Sequence, residues 1–225
     1  MDINKETYSF ADFCEIIAEL RSEHGCSWDK EQTHESLKKN LIEESYEYID
    51  ALHEGNKQKM CDELGDVLLQ IVMNAQIAKE ENAFTIEDVI DTVSKKMIRR
   101  HPHVFGDVKD QSVSGILTRW EEIKKGEKKE EYSLKSTAKH LPSVLRASIL
   151  AEKAKKMHKN EIIFSKNIDK LRKMLDNMEC KDNLSKEAVL CEMMTTLVEL
   201  FVSEKIDLET AMYRQNEKYI AGFES

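Results

Sequence analysis

Residues 34–81 read HESLKKNLIEESYEYIDALHEGNKQKMCDELGDVLLQIVMNAQIAKEE. Two long helical patterns lie here, separated by Gly55 and Asn56, residues that mark a turn. Glu43, Glu44 and Glu47 form an E-E-x-x-E group in the first pattern, and Glu63 and Asp66 an E-x-x-D group in the second. Residues three or four apart share a helix face. Glu43 therefore stacks on Glu47, with Glu44 on the neighbouring ridge, and Glu63 stacks on Asp66. Both groups sit among core-forming residues; Leu64, Val67, Leu68 and Leu69 interleave the second. A short turn between consecutive helices favours an antiparallel pair in which the two groups face each other. Four or five facing carboxylates repel unless a cation sits among them. Hard oxygen donors without Cys or His suit Mg²⁺, with Mn²⁺ as the alternative. The bland alternative is a solvated acidic face.

Working outward, the chain reads as all-α throughout. Two prolines and seven glycines in 225 residues leave few breaks. Helices are expected over about 7–23, 33–53, 57–81, 85–100 and 116–125, and from Pro142 to the C-terminus. Leu64, Leu68, Ile71, Val72 and Ala75 are expected on the inner face of the third. Thr85 and Asp88 form a capping-box variant, and Pro102 stops the helix that they open. The segments 24–32 and 101–107 read as loops. The domains expected are a first helical unit over 1–126, a charged linker over 127–140 and a second helical unit over 141–225.

The second unit reads as a faint repeat of the first. At an offset of 126 residues, Ile42 falls on Ile168, Asp50 on Asp176, Leu64 on Leu190 and Val72 on Val198. The carboxylates do not carry over. Glu43 meets Asp169, Glu44 meets Lys170, Glu47 meets Lys173, Glu63 meets Val189 and Asp66 meets Glu192. A charge-reversed set of this kind should not hold a divalent cation in the same way.

Composition sets outer bounds. A net charge of −9 argues against a nucleic-acid surface. The five cysteines lack C-x-x-C spacing and are odd in number, which reads as a reduced, cytoplasmic chain. The acidic N-terminus is no secretory signal, and no apolar run is long enough to suggest a membrane partner. Trp28 could stack on a base or plug the core. Arg99 and Arg100 end a helix, where the dipole favours cations in any case. His101 and His103 flank Pro102 and read as loop structure rather than a metal clip.

The combination GCSWDKEQTHESLKKNLIEESYEYIDAL, DELGDVLLQIVMNAQIAKEE, IRRHPHVFGD and RWEEIKKGEK resembles the MazG family, within the all-α NTP pyrophosphatase superfamily. The resemblance is strong over about residues 10–130 and weaker beyond, to the second repeat of two-repeat members. It implies a helical bundle of two repeats, the second degenerate, and an enzyme that hydrolyses nucleoside triphosphates (NTP or dNTP) to monophosphate and pyrophosphate. It implies Mg²⁺ on Glu43, Glu44, Glu47, Glu63 and Asp66. It places Trp28 and Lys30 near the nucleotide, and Arg99, Arg100 and Lys124 on the triphosphate. Glu44, on its separate ridge, is the expected general base. A homodimer and a nucleotide-housecleaning role follow from the resemblance alone. Where the family usually has C-P-W-D, this chain reads Cys26-Ser27-Trp28-Asp29, which removes no ligand. The intact first constellation places activity in the first unit and leaves a structural or dimerisation role to the second. A catalytically weak nucleotide or metal sensor, or a purely structural dimer, would carry the same residues without turnover.

Overall fold

The computed structural model describes residues 4–108, 112–127, 133–158, 164–176 and 183–224. Among them the fold is all-α, in two compact units divided between Trp120 and Glu121.

In the first unit, α1 (Phe10–Leu20), α3 (His34–Glu54) and α5 (Ile86–Arg100) pack against the central α4 (Lys57–Glu80). Local signals set these ends. Ser9, Thr33 and Thr85 each close a capping box, with Asp12, Ser36 and Asp88 respectively. Asp12 also accepts from Lys5, and these hydrogen bonds hold its carboxyl far below the usual range. Gly55 ends α3 at φ +70°, and the Asn56 side chain caps α4 on the Lys59 N–H (3.1 Å). This tight reversal sets α3 back along α4. A side chain at φ > 0 costs about 1–2 kcal/mol. Gly55→Ala is therefore expected to lower unfolding stability by about that amount, read from urea titration.

The core joins Ile17, Leu37, Val72, Met73 and Ile77, with Phe13, Leu20, Leu69 and Ile86 around them. The expected inner face of α4 fails in part. Val72 and Ala75 are buried, but Leu64, Leu68 and Ile71 are 49 %, 37 % and 41 % exposed. The neighbours α1, α3 and α5 cover one side of α4, and the second apolar stripe is left uncovered. Ile42, Tyr46 and Ile49 on α3 are similarly exposed.

Two expected loops contain helical turns. Residues Ser27–Glu31 form α2, and Pro102–Phe105 form α6 with proline at its first position. Gly25 precedes α2 because a Cβ there would strike the Leu20 and Glu19 carbonyls. The Arg21 guanidinium then holds α2: it donates to the Asp29 and Gln32 carbonyls and pairs with Glu80 on α4 (2.7 Å).

α7 (Val113–Glu127) runs across the division between the units. In the second unit, α10 (Asn183–Ser203) packs against α8 (Ser143–His158), α9 (Phe164–Asp176) and α11 (Leu208–Glu224). Part of the stretch expected as linker folds onto α8. A 3-10 turn spans Leu134–Ser136, and the buried Thr137 hydroxyl accepts from Lys153 (2.9 Å). Cys14, Cys26, Cys61 and Cys191 are free thiols, and Cys180 lies outside the described residues. Among the described residues no helix is long and apolar enough to cross a membrane.

Candidate metal centre

The carboxylates of α3 and α4 meet. Glu44, Glu63 and Asp66 each offer an oxygen, and these lie within 4.8 Å of one another. Opposite ligands of an octahedral Mg²⁺ stand about 4.2 Å apart, so this trio needs only small side-chain movements to fit one ion. Among the described residues no other set of three His, Cys, Asp or Glu side chains gathers so closely. Glu63 is 9 % exposed, low for a carboxylate.

Electrostatics record the crowding. Desolvation, then the charges of Asp66, Glu47, Glu63 and Glu43, push the Glu44 carboxyl above its ordinary value. Desolvation likewise raises Glu63, followed by Glu47 and Asp66; a hydrogen bond with the Glu47 side chain adds to the shift, while Lys59 opposes it. Glu47 thus adjoins the trio. Glu43 is not one of the three, and its carboxylate lies 3.8 Å from the Lys39 ammonium.

A linkage prediction follows. The folded pKa of Glu44 and Glu63 lies above the unfolded value of about 4.5. The native state therefore binds more protons than the unfolded chain between the two values. Their favourable contribution is present below pH 4.5 and is lost as pH rises through the raised values. In EDTA the Tm contribution of this pair should fall across that window. A divalent cation competes with those protons, so the Mg²⁺-induced rise in Tm should grow with pH over the same range. Thermal scans at stepped pH, with EDTA or Mg²⁺, check both slopes; a metal effect that shrinks with pH would refute the site.

The other expected residues are more scattered. Trp28, 61 % exposed on α2, sits where Arg21 ties α2 to Glu80. Glu80 is fourteen residues beyond Asp66, about 21 Å along the helix at 1.5 Å per residue. Within one chain α2 is thus anchored away from the carboxylates. Lys30 donates to the Glu23 carbonyl (2.9 Å), which holds the loop before α2. Arg99 and Arg100 occupy the last turn of α5, and the Arg100 guanidinium lies 5.2 Å from the centre of the Trp120 ring, a cation–π contact. Lys124 lies on the part of α7 assigned to the second unit. His101 bonds through Nδ1 to the Met97 carbonyl (2.6 Å), as a loop residue would.

Two residues near the centre escape a reading of motifs. Lys59 pairs with Glu54 (3.1 Å) and its charge reaches Glu63, four residues along α4. Gln70, one turn beyond Asp66, is buried and its Oε1 has no protein partner. The i,i+4 spacing was the only signal for either.

Comparison with known proteins identifies relatives of this chain. A family profile described as the MazG nucleotide pyrophosphohydrolase domain matches residues 32–105, which contain both carboxylate groups. A Thermotoga maritima protein named nucleoside triphosphate pyrophosphohydrolase/pyrophosphatase MazG is 40% identical over 220 residues, covering 95% of this chain and 84% of the relative. The Escherichia coli (strain K12) nucleoside triphosphate pyrophosphohydrolase is 33% identical over 214 residues, 91% of this chain and 81% of the relative. Bacillus subtilis YabN is 51% identical over 145 residues, 64% of this chain; the match spans 30% of that longer protein.

Proposed function

Since the chain belongs to the MazG family of nucleotide pyrophosphohydrolases, we propose that it hydrolyses nucleoside triphosphates to monophosphate and pyrophosphate at the Glu44–Glu63–Asp66 centre. The observation that carries this reading is the gathering of three carboxylate oxygens within 4.8 Å. An all-oxygen set fits Mg²⁺, with Mn²⁺ as a substitute. When bound, Mg²⁺ would offset the repulsion between this acidic centre and a triphosphate and would acidify a water.

The chain's own groups supply the rest. Glu63 and Asp66 hold the cation from α4, with Glu47 and Glu43 as outer carboxylates. Glu44 takes the proton of the attacking water; its upward-shifted carboxyl lies nearer the working pH than an ordinary glutamate. Arg99 and Arg100 neutralise the departing pyrophosphate. α5 supports the arginine role. It runs about 21 Å from its cap Thr85 to Arg99, the span between Glu80 and Asp66 on α4, so folding back along α4 brings the pair level with the carboxylates. Trp28 offers an exposed aromatic face; since α2 is anchored about 21 Å from the carboxylates of its own chain, it would stack on the base of a nucleotide held by a second copy, and Lys30 fixes the loop that presents it.

A homodimer suits this chain. The uncovered stripes of Leu64, Leu68 and Ile71 on α4 and of Ile42, Tyr46 and Ile49 on α3 would be buried by a second copy. Removal of unwanted nucleotides in the cytoplasm is the role that such a hydrolase would serve.

Incubation with Mg²⁺ and a panel of NTPs and dNTPs in ¹⁸O-water tests the reaction. Monophosphate carrying the label, together with unlabelled pyrophosphate, is expected, since attack falls on the α-phosphorus. Diphosphate and orthophosphate would mean that a different bond is cut. Nucleotide binding without turnover would make the protein a sensor.

A further inference from the structure

Gln70 on α4 is 5 % exposed, and its Oε1 is buried without a hydrogen-bond partner. A buried acceptor is costly unless something donates to it. The other buried polar side chains described here have an account. The Thr137 hydroxyl accepts from Lys153, Thr196 donates to the Glu192 carbonyl (2.9 Å), and Glu63 belongs to the carboxylate centre. One turn further along α4, the Asn74 amide is engaged at both ends. Its nitrogen donates to the Gln70 carbonyl (2.8 Å), and its oxygen lies 2.7 Å from His34 Nδ1. Among the described residues, Gln70 therefore holds the buried side-chain acceptor that nothing in the protein satisfies.

Helix geometry says where that acceptor points. At about 100° per residue, Gln70 lies about 20° from Glu63 and about 40° from Asp66 around the axis, and so falls between them. It stands about 6 Å beyond Asp66 along the helix. Helical side chains lean toward the N-terminus, so the Gln70 amide runs back toward the level of Asp66. Ionised carboxylates are acceptors themselves and offer it no proton. A hydrated cation does. Mg²⁺ takes an octahedral set and keeps several waters, and the three carboxylates leave positions for them. Each such water turns its oxygen to the ion and its hydrogens outward, where they need acceptors. We propose that Gln70 is a positioning residue of the metal centre: its Oε1 accepts a hydrogen bond from a water coordinated to the cation and fixes that water among Glu44, Glu63 and Asp66. This role rests on the Glu44–Glu63–Asp66 reading and adds an outer layer to it. The trio contracts by small side-chain movements to take an ion, and the same movements uncover the amide on the ion's side. Burial keeps the amide in place before the ion arrives.

Calorimetric titration of the full chain with Mg²⁺, without nucleotide, tests the proposal, with thermal scans in EDTA alongside. Gln70→Met keeps the shape and removes the acceptor; Gln70→Glu keeps an acceptor. In EDTA the methionine variant should melt at or above the wild-type temperature, because an unsatisfied acceptor has gone. Its Kd for Mg²⁺ should rise by about tenfold or more, while Gln70→Glu should bind Mg²⁺ at least as tightly as wild type. Gln70→Leu repeats the measurement if the methionine variant does not fold. A purely structural amide gives the opposite pattern, a lower Tm in EDTA with an unchanged Kd, and that result would overturn the proposal. Equal weakening in the methionine and glutamate variants would overturn it too. So would an altered preference between NTP and dNTP at unchanged Mg²⁺ affinity, which would put a sugar hydroxyl on Gln70. With Mn²⁺ as the ion, a rise in water-proton relaxation in Gln70→Met would make Gln70 a direct ligand instead. Glu63→Gln separates the two levels of failure. If it weakens Mg²⁺ binding and Gln70→Met does not, only the role of Gln70 falls. If neither does, or wild type binds no Mg²⁺, the centre falls and this role with it.

Discussion

Glu63→Gln is expected to lower Mg²⁺-dependent turnover on the order of a thousandfold, the several kcal/mol that a Lewis acid contributes to a phosphoryl transition state. Glu63 is the least exposed carboxylate of the centre, and its neighbours Glu47 and Asp66 both raise its pKa. Glutamine keeps the shape and removes one charge. The loss should therefore come from metal binding and not from unfolding. In EDTA the variant should melt at or above the wild-type temperature, because a repulsive charge has gone. In Mg²⁺ it should gain much less than wild type. Initial rates of pyrophosphate release over a Mg²⁺ titration, with paired thermal scans, give both readings. A variant with near wild-type rates and an unchanged metal requirement would move the centre elsewhere.

The second large effect concerns assembly. Leu64→Glu combined with Leu68→Glu should turn a dimer into a monomer. Burying a leucine side chain fully contributes about 1.5–3 kcal/mol, and these two have about half or less of their surface left to bury. Two such residues from each of two copies give roughly 3–6 kcal/mol, enough to raise Kd by about 100-fold or more. Both residues are already exposed within one chain, so the substitutions should spare the fold. Sedimentation velocity at micromolar concentration reads the outcome. A wild-type chain that sediments as a monomer, or a double variant that stays dimeric, would remove this face from the assembly.

Helix ends were legible because they rest on short-range chemistry. Thr85 with Asp88 and Gly55 with Asn56 sit where capping and turn rules put them. The α2 turn was hidden because five residues carry too little periodicity to register, and its hold comes from Arg21 reaching across to Glu80. The inner face of α4 was misjudged for a different reason. Both Val72 and Leu68 satisfy a helical repeat, and only packing decides which stripe the chain itself covers. The meeting of an α3 glutamate, Glu44, with Glu63 and Asp66 was legible from two acidic groups on consecutive helices. Which glutamate of the E-E-x-x-E group turns to α4 was not, since that depends on the rotation of α3 about its own axis. Lys59 was invisible because lysine four residues before glutamate is common on any exposed helix.

The single guanidinium that suspends α2 has a consequence for how relatives of this chain could diverge. Arg21 fastens that short segment to the end of α4 remote from the acidic cluster, through two backbone carbonyls and one carboxylate. None of those contacts specifies the side chains that α2 displays. The segment is therefore an exchangeable cassette. Its exposed face can drift in sequence while the acidic cluster, held on other helices, stays fixed.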